Sequence, residues 1–302
     1  MNWIAHLCRE WTVESWRSIA PASAKPEPQH WDRSRLTAAW LGHSTVLINF
    51  FGVTILTDPV LFPRCGIRLP HLTIGPKRLT RPALEWNELP PIDLILLSHA
   101  HFDHFDMRTL HCLSRRSQAK ADFDNSTAVI TAPRTCDLLR WTRFRDVTEL
   151  PWGEERKIAL PNESVTVKAI RVNHWGARML RDTYRGYNGY IIERRGCRII
   201  FGGDTAFTDA FAELRDDRPY DLAIMSIGAY NPWIRVHANP EQVIAMCDAA
   251  GVRYVMPVHH QTFRLSVEPF CEPIERFEAV LQKRPERIAL REIGETFVLP
   301  DL

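Results

Sequence analysis

The 302-residue sequence predicts an α/β fold, and three observations carry that prediction. From about residue 36 onward, short β-type runs alternate with segments of helical spacing. The strand runs are rich in Val, Ile and Leu and end at Gly, Asn or Asp turns. Hydrophobic residues make up 45% of the chain and charged ones 25%, the balance of a globular protein rather than a disordered or fibrous one. The length suits one large α/β domain, expected over 36–302, preceded by a helix and linker over 1–35.

Taken in order, "MNWIAHLCREW" places Trp3, Leu7 and Trp11 four residues apart, one face of a short amphipathic helix that could pack on the body or touch a lipid surface. "APASAKPEPQH" is Pro-rich and polar, an extended linker. "LTAAWLG", "TVLINF" and "VTILTD" predict a meander of three strands, and "IDLILLSH" a buried fourth. "MRTLHCLSRR" follows Asp106, a suitable N-cap, with apolar residues at helical spacing. Further strands are expected at "TAVITA", "VTVKAIRV", "GYIIER", "RIIFGGD", "DLAIMSI" and "RYVMPVH". Helices are expected at "PRTCDLLRW", "PEQVIAMCDAAG" and "PIERFEAVLQKR". Two halves of similar content are compatible with a sheet-on-sheet core covered by helices.

Composition excludes several functions. A formal net charge of +2 and the lack of basic runs interleaved with aromatics argue against a nucleic-acid partner. The seven cysteines are scattered, with no CxxC pair, and suggest reduced thiols of a cytoplasmic protein rather than a disulfide framework or thiolate zinc site. No apolar run approaches the roughly 18 to 20 residues of a membrane span, and the N-terminus lacks signal-peptide features.

The chemistry concentrates in "SHAHFDH". His99 and His101 are two residues apart after an apolar strand, so both rings point the same way if strand geometry persists, with Asp103 on that face. His104 points elsewhere unless the chain turns at the onset of the next helix, in which case a second ion could sit beside the first. Imidazole and carboxylate donors without thiolate favour zinc, with manganese or iron possible. Further donors stand at later strand ends: His174 in "VNHWG", Asp204 in "FGGDTAF", and His259 and His260 in "MPVHHQTF". Because neighbouring side chains on a strand face opposite sides, only one of the last two is expected to reach the metals.

The order HxHxDH, a lone His, GGDT and a late His resembles the metallo-β-lactamase fold superfamily over about residues 36 to 298. "WLGHSTVLINFFGVTILTDPVL", "SHAHFDHFD", "NHWGAR", "IIFGGDTAF", "IGAYNP" and "VHHQTF" resemble more narrowly the branch containing N-acyl-phosphatidylethanolamine-hydrolysing phospholipase D and its bacterial relatives. The resemblance implies an αββα sandwich of two mixed β-sheets flanked by helices. It implies one metal on His99, His101 and His174, a second on Asp103, His104 and His259, and Asp204 as the bridge. His259 is preferred over His260 because the family's His-Trp-Gly-Thr-Phe aligns its histidine with the first of "HHQTF", where His260 and Gln261 replace Trp and Gly. His43 and His237 match histidines lining the substrate cleft, and Asp58 a carboxylate supporting the ligand loop.

Two divalent ions about 3.5 to 4 Å apart could share a water whose pKa falls toward roughly 7, giving a bridging hydroxide that attacks phosphorus or an acyl carbon without a protein nucleophile. Asp103, Asp204 and His237 would serve the catalysis, with a cleft histidine such as His237 available to protonate the leaving group. The expected function is a phosphodiesterase of the phospholipase D-like type acting on a small molecule or phospholipid. A lactonase or other acyl-ester hydrolase is the rival enzyme, an iron-dependent sulfur dioxygenase a weaker one, and a metal-stabilised interaction or sensor protein the non-enzymatic alternative.

Overall fold

The computed structural model describes residues 14–70, 72–118, 127–159, 164–179 and 181–301. The expected Trp3, Leu7, Trp11 face lies outside the described residues. Two mixed sheets face each other with helices outside. The first has seven strands, in the order β15 (Thr296–Val298), β1 (Leu36–Gly42), β2 (Thr45–Phe50), β3 (Val53–Thr57), β6 (Leu94–Leu97), β7 (Ala128–Thr131) and β8 (Asp146–Glu149). The second has six, ordered β14 (Val252–Val258), β13 (Tyr220–Ser226), β12 (Cys197–Phe201), β11 (Gly189–Arg194), β10 (Ser164–Ile170) and β9 (Glu155–Ala159). Strands β4 (Ile67–Leu69) and β5 (Leu72–Ile74) form a separate hairpin.

The period-two geometry of strands divides the core. Ile199, Phe201, Leu222 and Ile224 join Trp40, Leu47 and Ile95 of the first sheet in one apolar cluster. The alternating residues Ile200, Ala223 and Met225 pack on the other side against Val243, Ile244 and Cys247 of helix α2 (Pro240–Ala250) and Phe277 of helix α3 (Glu272–Val280). Helix α1 (Met107–Gln118) adds Leu110 and Leu113 to the first cluster. Its Asp106 accepts from the Thr109 backbone N–H at 3.1 Å and the Thr109 hydroxyl at 2.6 Å, the N-cap the sequence predicts. Helix α2 opens on a reciprocal Asn239/Gln242 capping box and closes on left-handed Gly251.

Three expectations need correction. "PRTCDLLRW" forms only a 3₁₀ helix, Cys136–Trp141. Glu149 of β8 binds the backbone N–H groups of Thr135 and Cys136, tying the segment to the sheet edge. Strands β8, β9 and β15 and the β4–β5 hairpin were not anticipated. The Pro-rich stretch does not run free: Ser23 and Ala24 donate to the Ile293 carbonyl, and Pro28–His30 form a 3₁₀ turn.

Candidate metal centre

The candidate side chains gather on one rim of the sandwich, all but His237 close after a strand. His43 occupies the β1–β2 turn and Asp58 follows β3. His99 to His104 follow β6, His174 follows β10, Asp204 follows β12, His237 precedes α2 and His259 follows β14. The chain turns after His101, whose carbonyl accepts from the N–H groups of His104 (3.1 Å) and Phe105 (2.8 Å). That turn brings Asp103 and His104 inward together.

Asp204 lies at the centre. Its Oδ1 accepts from the Ser226 hydroxyl at 2.6 Å, and its Oδ2 stands 3.0 Å from His104 Nε2 and 3.2 Å from His259 Nε2. The same oxygen is 3.9 Å from the Nε2 atoms of His99 and His174 and 3.8 Å from His237 Nδ1. Gly203 makes this approach possible: its φ is +58°, and a Cβ there would lie 2.8 Å from Ser98 Cβ and 2.9 Å from the Asn188 carbonyl.

Two donor groups flank Asp204. His99, His101 and His174 converge on one side, with His99 Nε2 2.8 Å and His174 Nε2 3.3 Å from His101 Nδ1. Asp103, His104 and His259 converge on the other, joined by His43. Three rings have their outer nitrogen already committed. His99 Nδ1–H donates to Ser98 Oγ (2.8 Å), His104 Nδ1–H to Asp58 Oδ2 (2.7 Å) and His174 Nδ1–H to the Val236 carbonyl (2.8 Å). With its outer nitrogen so held, each inner Nε2 is turned toward the cluster, where its deprotonated form presents a lone pair. The buried Nε2 atoms of His104 and His259 have no hydrogen-bond partner. Lone pairs aimed at a common point, with second nitrogens held by carbonyl, hydroxyl or carboxylate, fit a bound cation.

The charge state of the first donor group supports that fit, while in the second, against the pull of burial, Asp204 and Asp103 raise His104 well above the usual histidine range and His259 to about 9, so a cation binding there would displace protons. Burial drives the His99 and His174 pKa values well below the usual histidine range, so both rings are neutral. Burial would lift the Asp204 carboxyl, but His104, His259 and His237 hold it well below normal. Burial also lowers His237, to about 4. It is thus neutral near pH 7, a donor or base rather than a standing imidazolium.

His43 differs from the sequence expectation. It is 1% exposed rather than open to a cleft, and its neutral ring donates Nε2–H to Asp103 Oδ2 at 2.9 Å. It sits behind a candidate ligand and orients it. His237 has 13% of its side chain exposed and reaches the rim. His259 faces the cluster, while the His260 ring turns away to lie 4.5 Å from the Trp40 ring. The left-handed backbone at His259 (φ 64°) separates the two rings.

Sequence reasoning missed Ser98 and Ser226, which orient His99, Asp58 and Asp204, and Arg178, whose Nη1 donates to the carbonyls of Ala100 (2.8 Å) and Phe105 (2.9 Å) and whose guanidinium covers Phe102. Ser98 and Arg178 lie in the quoted motifs, but no spacing rule marks them.

A sheet-on-sheet sandwich with a histidine and aspartate cluster on one rim defines a class of metal-dependent hydrolases. The comparisons place the chain there: residues 53–260 match the beta-lactamase superfamily domain, and the protein belongs to that superfamily, with the metallo-β-lactamase fold. An uncharacterized protein of Mycobacterium tuberculosis is 33% identical across 91% of this chain and 71% of its own. The N-acyl-phosphatidylethanolamine-hydrolyzing phospholipase D 1 of Caenorhabditis elegans is 30% identical across 84% of this chain and 72% of its own. Igni18, a metallo hydrolase of Ignicoccus hospitalis, shares the fold with a TM-score of 0.64 at 18% identity, over 88% of this chain and 99% of its own. Among the described residues no helix is long and apolar enough to cross a membrane.

Proposed function

We propose that this metal-dependent hydrolase is a two-metal phosphodiesterase that cleaves a phospholipid-like diester on the headgroup side. The observation that carries the proposal is the position of Asp204, one oxygen held by Ser226 and the other between two complete donor groups. His99, His101 and His174 would hold one divalent cation, Asp103, His104 and His259 the other, and Asp204 both; zinc suits these donors, and manganese or iron would be accepted. Bound there, the pair would supply an activated water and Lewis-acid stabilisation of the phosphoryl oxygens. Asp58, Ser98, His43 and the Val236 carbonyl keep the donors in the required tautomers and rotamers. His237 stands at the mouth, where its neutral ring could relay a proton to the departing alkoxide, releasing the one on one nitrogen as the other nitrogen takes one up from water.

The surroundings suit an amphiphile. Trp175, Phe207, Trp233 and Ile234, near His174, Asp204 and His237 in sequence, are each 41–52% exposed. A cavity of about 500 Å³ runs from His259 past Phe263, Leu265, Val267 and Phe270. The relative in C. elegans named for phospholipid hydrolysis favours the same substrate class.

The test is metal content per chain together with hydrolysis of bis(p-nitrophenyl) phosphate by the wild type and Asp204→Asn. Two metals with diester cleavage lost in the variant would support the proposal. Two metals with no diester cleavage but turnover of a lactone panel would replace it with the acyl-ester reading, and one iron with neither activity would refute both.

A further inference from the structure

The β4–β5 hairpin carries an apolar face that the fold leaves uncovered. In its antiparallel register Ile67 pairs with Ile74 and Leu69 with Leu72, so all four aliphatic side chains project from the same face. They are 44%, 48%, 44% and 38% exposed in that order. Arg68 and Thr73 form the other face, of which Thr73 is partly buried and Arg68 exposed. A two-stranded ribbon of this size is unstable alone, so its conformation must come from its base.

The base is firmly built. The backbones of Arg64 and Lys77 pair in an antiparallel β-bridge, and Arg64 Nη1 donates to the Gly75 carbonyl at 2.8 Å. The strands cross so closely that a Cβ on Gly66 would lie 2.1 Å from the Ile74 carbonyl oxygen. Beneath it Cys65 packs with Val60 and Phe263, and Leu265 lies against them; Phe263 and Leu265 also line the cavity at His259. The ribbon is therefore anchored beside the candidate site.

Charge selects the occupant. Between Pro59 and Leu84 the chain holds Arg64, Arg68, Lys77, Arg78 and Arg81 and no Asp or Glu. Arg78 is buried, but the other four are at least partly exposed. Aliphatic side chains on a projecting ribbon, set in a segment of one positive sign, match the apolar interior and anionic headgroups of a lipid surface. A second copy of this chain would set like charges against each other.

We propose that the β4–β5 hairpin docks the protein on anionic membranes by inserting Ile67, Leu69, Leu72 and Ile74 among the lipid chains. This docking does not depend on the diester reading, because it is measured as binding and not as turnover. The experiment is co-sedimentation of the full chain with phosphatidylcholine vesicles, with and without phosphatidylglycerol, for the wild type, Leu69→Ser/Leu72→Ser and Arg68→Glu. Circular dichroism and thermal unfolding check that the variants are folded.

The expected result is wild-type binding that strengthens with phosphatidylglycerol and weakens with salt. Removing two leucines should reduce it by roughly tenfold or more. Arg68→Glu should weaken binding to the anionic vesicles selectively. Wild-type affinity in the leucine variant, including binding carried by residues 1–13, would overturn the proposal. So would no vesicle binding by the wild type, or a wild-type dimer that the leucine variant dissociates, which would make this face a contact between copies.

Discussion

Asp58→Asn tests whether the outer hydrogen bonds control metal affinity. Asp58 is fully buried and accepts three hydrogen bonds: from the Ser98 backbone N–H at 2.7 Å, from the Ser98 hydroxyl, and from His104 Nδ1–H at 2.7 Å. An asparagine keeps one carbonyl oxygen but sets an NH₂ group against at least one of these donors. If the amide faces His104, the ring must lose the bond or move its proton to Nε2, and that removes the lone pair aimed at the cluster. Loss of a hydrogen bond to a charged acceptor costs about 1.5–3 kcal/mol. A disturbed partner behind a metal ligand typically lowers affinity about 10–100-fold, or roughly 1.4–2.8 kcal/mol. The two ranges coincide, so affinity at the Asp103, His104 and His259 group should fall by one to two orders of magnitude, on the order expected for such partners. The assay is competition of the metal-free protein against a chromophoric zinc chelator, which resolves the two binding steps, with thermal unfolding in chelator as the folding control. The step that fills the Asp103, His104 and His259 group should move more than the other, which Asp58 touches only through Ser98 and His99. Unchanged affinity at both steps in a folded Asp58→Asn protein would refute the argument.

Three further outcomes follow from the same structure. Arg178→Lys removes a planar group that bonds two carbonyls of the 100–105 turn and stacks on Phe102, and should lower thermal stability by about 1–2 kcal/mol, with zinc affinity reduced in competition titration. His260 is held down to about 3 by burial, against 6.5 for an ordinary histidine. The unfolded chain therefore takes up a proton below pH 6.5 that the folded chain does not, and stability is lost as pH falls from there toward 3, at about 1.4 kcal/mol per pH unit. His260→Phe, which keeps a ring on Trp40, should flatten the acid-side slope by one proton in urea unfolding with chelator present; an unaltered slope would show that His260 is not the group responsible. The Tyr190 hydroxyl donates to the Leu97 carbonyl at 2.8 Å inside the core, and Tyr190→Phe should cost about 1–2 kcal/mol in chemical denaturation by leaving that carbonyl unpaired.

The parts of the fold legible in the sequence were those with strong local periodicity. The runs at β1, β2, β3, β6, β12 and β13 are long and apolar because they are buried on both faces, and they stood out accordingly. In the site, "SHAHFDH" was legible because four donors fall in one short stretch and a single turn after His101 gathers them. Its outer partners were not. Ser226 reaches Asp204 because β12 and β13 run parallel with Phe201 opposite Ile224, so the residue two past Ile224 stands beside the residues just past Phe201. Asp58 reaches Ser98 and His104 through the parallel pairing of β3 with β6, Thr57 opposite Leu96. Such contacts are properties of register between strands distant in sequence, and no local spacing encodes them. The β4–β5 hairpin failed for the opposite reason. Its alternation is only Ile67, Leu69, Leu72 and Ile74, and Pro63, Gly66, Pro70, Gly75 and Pro76 mark the segment as loop. A period-two pattern that short identifies an apolar face without saying whether anything covers it. Only with the body of the protein in place is that face seen to remain open, and it is this openness, next to a cavity that reaches His259, that turns four aliphatic residues into a docking surface that can be tested.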